Sequence, residues 1–383
     1  MINAYYFFRD SEIRRSVVQG TLKCPGANYM LYGADQMPTT DFAIHHNLQD
    51  TTPPSIWITR LAWLADHAIK AVGGSSGDFQ TVFKEWRRCR RDEIVVSTVD
   101  NVGVPLAILN YFGLLRRPLL YISIGLPERI APIKSAFIRA LYRTLYRRVP
   151  RFVTYGWQEA FRLREWLGLP PDSNRVTFVP FAVDPLAFSP MPETPVETQV
   201  LSVGADMMRD FHLLLAVAAE LPSVTFKIIT SPRHAASFSS VPANVQILTN
   251  VPFSEIRQHL AGAQLIVLPC HENTYSSGTT TLLQCMAMAK PIVVTRTGAI
   301  RDGYQLEDDV NCRLVTPGSN DELKQAIQQL LDDRTAQERI GAAARRTVES
   351  HLTWDHYVQR MTAILNSMAP QTSKCHENRN SRI

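Results

Sequence analysis

Apolar residues in this chain are grouped into short, near-continuous runs, separated by longer stretches with helical apolar spacing. Such runs indicate strands buried on both faces, as in a parallel sheet. Four lie in the first half of the chain, at Ile94 to Thr98, Leu119 to Ile124, Phe152 to Tyr155 and Val176 to Phe181. Six lie in the second half, at Val200 to Gly204, Thr225 to Thr230, Val245 to Leu248, Leu265 to Cys270, Pro291 to Thr295 and Asn311 to Val315. This alternation predicts an α/β protein with two doubly wound parallel sheets.

A proline-rich segment divides the two groups of strands. Prolines stand at positions 185, 190, 192 and 195 and disfavour the interior of helices and sheets. We therefore predict one Rossmann-like domain over residues 1–184, a linker over 185–198 and a second domain over 199–352, with a ligand cleft between the domains. The remaining sequence predicts a closing helix over 353–368 and a polar, disordered tail over 369–383.

Composition is that of a two-domain globular protein: 383 residues, of which 45% are hydrophobic and 20% charged. No run reaches the ~18 apolar residues of a membrane span, and the longest, Val102 to Leu115, predicts a core helix. Charged residues follow the apolar N-terminus too closely for a signal peptide. The six cysteines form no CxxC pair, which predicts reduced thiols, no zinc site and a cytoplasmic location. His45 and His46 have no second cluster at ligand spacing and predict a surface loop.

Positive charge is concentrated in residues 1–190, which carry 23 Lys and Arg against 16 Asp and Glu, a net +7. From Lys134 to Arg148 the sequence predicts a basic amphipathic helix. One predicted stripe is apolar and the opposite stripe is basic: Phe137, Leu141 and Leu145 against Arg139, Arg143 and Arg147. Two interpretations stay open, a solvated arginine face or contact with an anionic membrane. Nucleic acid is not an expected partner, because the charge follows no nucleic-acid-binding module.

The segment from Leu265 to Thr295 carries the clearest candidate chemistry. It predicts a strand, a polar turn, a helix starting near Thr279 and a second strand, which together form a parallel βαβ unit. The turn from Ser276 to Thr280 offers free backbone N–H groups, hydroxyls and a glycine, which are the components of a phosphate site. The sequence contains no Asp-x-Asp, GxGxxG or GxxxxGK[ST] motif. A metal-held diphosphate, a dinucleotide dehydrogenase and an NTPase are therefore unsupported.

The same segment resembles the donor-site signature of GT-B glycosyltransferases, specifically retaining family 4 (glycosyl transferases group 1). The matching motifs are Leu268-Pro269-Cys270, the run from Leu283 to Val294, and a hinge from Phe181 to Asp184 followed by Phe188. The resemblance covers about Arg151 to Leu365. It implies a GT-B fold, with two Rossmann-like domains facing across a cleft and a C-terminal helix crossing back to the first domain. It also implies an acceptor on the first domain and a nucleotide sugar on the second.

The resemblance also implies roles for individual residues. Gly204 followed by Arg209 is similar to the loop that presents two cations to the donor diphosphate, although Ala205 stands at the first of them. The paired glutamates of the family fall on Ser276 and Gln284, and Glu272 is a candidate replacement. The catalytic candidates are thus Arg209 and Glu272. The donor-binding candidates are Gly204, Arg209, Ser276, Ser277, Gly278, Thr279, Thr280 and Gln284, and no metal ligand is expected.

On the acceptor side, the histidine of many family members is replaced by Ser123 or Gly125, so no catalytic residue is assigned there. The function implied is metal-independent, retaining transfer of a hexose from a UDP- or GDP-linked sugar to a saccharide or lipid-linked acceptor. No separate cofactor is expected, and the protein is expected in the cytoplasm or peripherally on the inner face of a membrane. The alternative is a non-catalytic GT-B relative that acts as a binding or assembly subunit, which the losses at Ser276 and Gln284 favour. A sugar phosphorylase or an epimerase on the same fold is a weaker alternative.

Overall fold

The computed structural model describes residues 1–22, 24–300 and 302–369, so the tail predicted over 369–383 lies outside the described residues except for Ala369. Twelve strands are present in these residues, and every pair of neighbours is parallel. They are β1 (Ile2–Phe7), β2 (Phe42–His46), β3 (Ile94–Ser97), β4 (Leu119–Ser123), β5 (Arg151–Thr154), β6 (Val176–Phe178), β7 (Thr198–Val203), β8 (Phe226–Thr230), β9 (Val245–Thr249), β10 (Ala263–Leu268), β11 (Ile292–Thr295) and β12 (Arg313–Val315).

Helices alternate with the strands along the described chain. They are α1 (Glu12–Val18), α2 (Ile56–Ala71), α3 (Phe79–Glu85), α4 (Asp100–Tyr111), α5 (Leu126–Ile130), α6 (Ala136–Tyr146), α7 (Trp157–Leu167), α8 (Phe211–Glu220), α9 (Pro232–Ala235), α10 (Phe253–Ala261), α11 (Thr279–Ala287), α12 (Asn320–Asp332), α13 (Arg334–His351) and α14 (Trp354–Met368). Short 3₁₀ turns cover Ala27–Leu31, Ala34–Gln36, Asn47–Gln49 and Arg88–Arg91.

The strands form two six-stranded sheets, which we call the N-terminal lobe (β1 to β6) and the C-terminal lobe (β7 to β12). The C-terminal sheet has the order β12-β11-β10-β7-β8-β9, the classical doubly wound arrangement. Its strand order reverses between β7 and β10, and ligands of such sheets bind at the carboxyl ends of the strands at this point. The predicted α/β class with two doubly wound parallel sheets is confirmed.

The N-terminal sheet has the order β2-β1-β3-β4-β5-β6, and its first two strands were missed by the sequence prediction. β1 is central and buried, but its apolar run at the chain terminus was considered only as a signal peptide. The prediction of a surface loop at His45 and His46 is wrong, because both residues lie in the edge strand β2. His45 Nδ1 lies 2.6 Å from Asp92 Oδ1, next to β3.

All ten predicted strands are present, with shifted ends. The run predicted from Val176 to Phe181 forms a strand only as far as Phe178, because Pro180 cannot donate to a sheet. The core helix predicted over Val102 to Leu115 is α4, which is largely buried despite an internal proline, Pro105. Residues 184–197 contain no helix or strand, as their prolines predict.

The predicted stripes of α6 are wrong by about one residue. Its buried side chains are Ile138, Tyr142, Leu145 and Tyr146, whereas Phe137 is 76% and Leu141 48% exposed. The two tyrosines decide the orientation, because they pack against other aromatic rings beneath the helix; Tyr146, for example, meets the ring of Tyr121 at 5.5 Å. A shift of one residue turns a helix by about 100°. The arginines consequently lie along the side of α6 that faces α7, rather than opposite the core.

The last helix, α14, packs back against the N-terminal lobe. Tyr357 Oη lies 2.9 Å from Tyr155 Oη, and the rings of Trp354 and Phe181 are 5.4 Å apart. Arg151 Nη2 also donates to Ser367 Oγ at 2.9 Å. One buried apolar cluster runs through both lobes and this helix, so the lobes are packed together at their junction.

Candidate active site

The predicted donor residues gather at the carboxyl ends of β7 and β10, where the strand order of the C-terminal sheet reverses. Gly204 directly follows β7, and the loop after β10 leads through residues 269–278 into α11. The backbone of Arg209 pairs with that of Cys270, which joins the two loops. A Cβ atom on Gly204 would collide with the guanidinium group of Arg209. Glycine is therefore needed at this position to let the arginine side chain cross β7.

Arg209 lies beneath the first turn of α11 and is only 3% exposed. Its Nε donates to Asp206 Oδ2 at 2.8 Å, and its Nη2 donates to Thr281 Oγ1 at 3.2 Å. Its Nη1 is buried and has no acceptor among the described residues. A buried donor without a partner costs about 1–3 kcal/mol. The guanidinium group thus holds two loops together and keeps one pair of N–H bonds unused.

Asp206 partly neutralises this arginine. Its second carboxylate oxygen, Oδ1, accepts a hydrogen bond from Ser277 Oγ. Burial alone would raise the pKa of Asp206, but the Arg209 charge and the hydrogen bonds from Ser277 and Arg209 outweigh it, so its pKa lies below the ordinary value. The carboxylate stays ionised and anchors the turn at Ser277. The sequence prediction of an open phosphate clamp did not include this ion pair.

The first turn of α11 has the geometry of an anion site. Its N-cap, Gly278, has a φ angle of +76°, a left-handed conformation that glycine adopts without strain. The backbone N–H groups of Gly278, Thr280 and Thr281 have no acceptor within the described chain. Thr279 N reaches Ser276 O only at 3.4 Å. Unpaired N–H groups and the helix dipole together favour a phosphate group at this end.

Arg209 and Gly278 enclose only a small cavity, of about 10 Å³, further lined by Ser277 and Thr297. This volume is roughly that of one water molecule. A diphosphate does not fit between the arginine and the turn in this conformation. An anion at α11 would therefore lie on the outer side of the turn, with the Arg209 charge behind the backbone amides.

Two of the predicted residues lie apart from this centre. Glu272 is exposed, and its Oε1 accepts a hydrogen bond from Gly298 N at 2.8 Å. Gln284 is 4% exposed, and its amide group has no hydrogen-bond partner in the described parts of the chain. The structure thus brings together Gly204, Arg209 and Ser276 to Thr280, with Gln284 deeper on α11 and Glu272 on the side nearest the N-terminal lobe.

Sequence reasoning missed three acidic residues at the carboxyl edge of the N-terminal sheet, Asp100, Glu128 and Glu159. Asp100 accepts hydrogen bonds from Tyr121 Oη at 3.0 Å and Ile124 N at 3.1 Å, and burial raises its pKa.

Glu159 is completely buried. Its Oε1 accepts hydrogen bonds from Ser123 Oγ and Gly125 N, whereas its Oε2 has no partner among the described residues. Burial raises the pKa of Glu159 well above the ordinary value. A carboxyl group therefore lies beneath Ser123 and Gly125, the positions at which the histidine of many family members is absent.

The loop after β10 touches this edge of the N-terminal lobe. Thr274 Oγ1 donates to Glu128 Oε1, and Thr274 O accepts from Glu159 N at 3.1 Å. Gly125 lies under the ring of Tyr275, where an added Cβ would approach the ring to 3.2 Å. Burial raises the pKa of Glu128. The candidate donor site and the end of the N-terminal sheet are thus joined by four residues, from Thr274 to Ser277.

The two parallel doubly wound lobes, packed together at their junction, form the GT-B fold. The sequence comparison agrees: residues 198–333 match the family described as glycosyl transferases group 1. The protein is a glycosyltransferase, and its similarity to that family lies in this segment.

Individual relatives extend the comparison over most of the chain. An MMP alpha-(1->4)-mannosyltransferase from Mycolicibacterium hassiacum is 24% identical over 322 residues, which are 80% of this chain and 75% of that protein. Sucrose-phosphate synthase from Thermosynechococcus elongatus has a similar structure, with a TM-score of 0.70 at 12% identity over 96% of this chain and 99% of that chain. Anabaena HepE in complex with UDP-glucose gives a TM-score of 0.67 at 16% identity, over 96% of this chain and 100% of that chain.

Proposed function

We propose that the protein transfers a hexose from a nucleotide diphosphate sugar to a saccharide or lipid-linked acceptor, with retention of configuration and without a metal ion. The observation that carries the proposal is the first turn of α11, where backbone N–H groups lack acceptors directly above the unpaired Nη1 of Arg209. The amides face outward, and the buried guanidinium group of Arg209 adds positive potential from behind them. A diphosphate is the group in a sugar donor that this arrangement stabilises.

Chemically, the arrangement stabilises the leaving group. As the bond between the sugar C1 atom and the phosphate oxygen breaks, negative charge grows on the diphosphate, next to the α11 N-terminus and Arg209. The acceptor oxygen forms the new bond to C1, and we propose that its proton passes to the departing phosphate oxygen. Retention is implied by the family resemblance. Glu272, which lies between the donor site and the N-terminal lobe, is the proposed contact to the sugar, and Gln284 the proposed contact to the ribose.

The names of related proteins support this donor class. HepE of Anabaena is described in complex with UDP-glucose. A relative from Corynebacterium glutamicum, 26% identical over 160 residues that are 39% of this chain and 41% of that protein, is named a GDP-mannose-dependent mannosyltransferase of a phosphatidylinositol monomannoside. Both UDP- and GDP-linked hexoses are therefore the donors to test first.

The test is release of nucleoside diphosphate from a panel of UDP- and GDP-linked hexoses, with and without a chelator. We expect release from at least one donor in the presence of chelator. Gly278→Ala should slow it at least tenfold, because the added Cβ would strain the left-handed turn and lie 3.2 Å from Arg209 Nη1. Gly318→Ala is the matched control, since Gly318 is also left-handed, with φ +75°, but has open space around it.

Failure of the native protein to release nucleoside diphosphate from any donor would contradict the proposed reaction. It would favour the alternative of a binding or assembly subunit. Equal rates for Gly278→Ala and the native protein would place the diphosphate elsewhere than at α11.

We further propose that the N-terminal lobe contacts an anionic membrane that carries the acceptor. In the described residues, no helix has both the length and the apolar character needed to cross a bilayer. However, Trp57, Leu61 and Trp63 on α2 are 58–68% exposed, and Phe137 on α6 is 76% exposed. The loop that follows α2 contacts α6, where Tyr142 Oη donates to Ser75 O. These apolar side chains, rather than the arginine stripe, support membrane contact, with the net positive charge of this half adding attraction.

We expect the protein to sediment with anionic liposomes at low salt, and less so at high salt, because salt screens the attraction. The double variant Trp57→Ser/Phe137→Ser should bind them at least tenfold less tightly, since each buried aromatic side chain contributes about 1.5–3 kcal/mol. Leu186→Ser/Val310→Ser is the control, with two exposed apolar residues outside the N-terminal lobe. If the native protein does not sediment with anionic liposomes at low salt, the proposed membrane contact is contradicted and a soluble acceptor is favoured.

A further inference from the structure

A groove of about 780 Å³ runs between α6 and α7 on the N-terminal lobe. α7 directly follows β5 and α6 leads back to it, so both helices start at the carboxyl edge of the sheet. At that end the groove is lined by Pro127 and Gln158. Gln158 also reaches the C-terminal lobe, because a Cβ added to Gly298 would lie 2.5 Å from its Oε1. The groove therefore begins where the two lobes meet.

The lining of this groove is strongly basic. Arg139, Arg143 and Arg162 point into it, against one acidic residue, Glu165. Among the described residues, none of the three arginines forms an ion pair with a carboxylate. Arg139 donates only to backbone carbonyl groups, those of Ile133 and Lys134. The three guanidinium groups thus share one open groove without a carboxylate partner.

Among the three arginines, Arg143 gives the strongest indication of a ligand in the groove. Its Nε is buried and has no acceptor in the part of the chain that the structure describes. Its Nη2 lies beside Gly168, where a Cβ would approach it to 2.8 Å, so the glycine leaves room for the guanidinium group. A buried donor without a partner is destabilising unless a ligand supplies the acceptor. An oxyanion is the ligand that a planar guanidinium group binds best.

Apolar surfaces complete the groove. Phe161 is 53% exposed, and Trp166 and Ile130 line the walls beside it. A ligand that fits must therefore combine an anionic group with a flat or apolar portion. Neutral saccharides would leave the three arginines without partners.

We propose that this groove binds a phosphate group of the acceptor, with the reacting hydroxyl placed at the end formed by Pro127 and Gln158. This inference rests on the proposed glycosyl transfer and narrows its acceptor to a phosphate-bearing molecule. The phosphate belongs either to a lipid headgroup or to a soluble phosphorylated saccharide. Arg139 and Arg143, two arginines of the basic stripe for which the sequence left a solvated face or membrane contact open, thus bind a substrate group.

The first experiment is calorimetry with inorganic phosphate, with UDP or GDP present to occupy the donor site. Arg143→Gln and Arg162→Gln should each weaken phosphate binding at least tenfold. Arg148→Gln is the charge-matched control, because Arg148 lies over the ring of Tyr111 outside the groove, and its affinity should stay within twofold of the native value. Arg162 is exposed, so its variant keeps the test valid if Arg143→Gln fails to fold.

The second experiment identifies the source of the phosphate. Dihexanoyl phosphatidic acid and glucose 6-phosphate are each titrated against the native protein and Arg162→Gln. Binding that depends on Arg162 supports the proposal, and the tighter ligand shows whether the acceptor is a lipid or a soluble sugar.

Phosphate binding that is equal in the native protein and in both variants overturns the inference. Donor hydrolysis by the native protein separates this result from failure of the proposed function. Donor hydrolysis without arginine-dependent phosphate binding contradicts only the groove. Arginine-dependent phosphate binding without donor hydrolysis contradicts the proposed reaction and, with it, the role of the phosphate as part of an acceptor.

Discussion

Replacing Arg209 by alanine is expected to weaken nucleoside diphosphate binding by about 1.5–3 kcal/mol, the order of the attraction between two unit charges roughly 6–10 Å apart at an effective dielectric constant of about 20. This corresponds to roughly a 10- to 150-fold higher Kd. The arginine lies directly beneath the first turn of α11, with an unused Nη1 and a bond to Thr281. Its removal takes away positive charge behind the amides that face the phosphate. Calorimetry with UDP and GDP measures the change.

Because Arg209 also holds the turn in place, two comparisons separate its charge from its structural role. Arg209→Lys keeps the charge but loses the planar fork, and should recover part of the affinity. Thr281→Val removes only the acceptor of Nη2 and should change nucleotide affinity by less than about 1 kcal/mol. The free energy of unfolding is measured for each variant, since Asp206 loses its partner in Arg209→Ala. Unchanged nucleotide affinity in a folded Arg209→Ala protein would exclude the residue from the site.

Substituting glutamate for Gln284 is expected to lower the free energy of unfolding by about 2–4 kcal/mol at neutral pH, since a carboxylate would be buried without a partner. Gln284 is 4% exposed, and its amide has no hydrogen bond among the described residues. Burial should raise the pKa of the introduced carboxyl group. A raised pKa in the folded state means that the deficit appears as the pH rises and shrinks as the carboxyl is protonated at low pH.

Thermal unfolding between pH 5 and pH 8 measures this effect, with Gln284→Met as the matched control. The methionine has a similar volume and no charge, and should cost less than about 1.5 kcal/mol at any pH. Nucleotide affinity decides the remaining question. A side chain that contacts the ribose should change the affinity for UDP or GDP when it is replaced, whereas unchanged affinity in both variants would contradict the proposed ribose contact of Gln284.

The inner C-terminal strands could be predicted from sequence because β7, β10 and β11 are buried almost throughout and appear as near-continuous apolar runs. β1 has the same pattern, but at the chain terminus it was compared only with targeting signals. β2 could not be predicted, because an edge strand with two histidines carries neither an apolar run nor an alternation. The α6 stripes failed because Tyr142 and Tyr146 were not counted as apolar, although their rings fill the space above the sheet.

At the site, the sequence could predict the helix that starts at Thr279 and the glycine-containing turn before it, since both follow from local spacing. The ion pair between Arg209 and Asp206 is also local but was not predicted, because Asp206 lies in a loop whose conformation the sequence does not define. The contact of Thr274 with Glu128 joins residues 146 positions apart and depends on how the lobes pack. The roles of Glu272 and Gln284 stay predictions.

The bond between Thr274 and Glu128 has a thermodynamic consequence for the reaction. Thr274 stands four residues before Gly278, so any displacement of this loop by a phosphate at α11 acts directly on a contact with the opposite lobe. Two ligands that shift the same contact influence each other's affinity by equal factors, whichever binds first. Donor binding and acceptor binding are then reciprocally coupled through one short segment. Each substrate changes the affinity of the protein for the other.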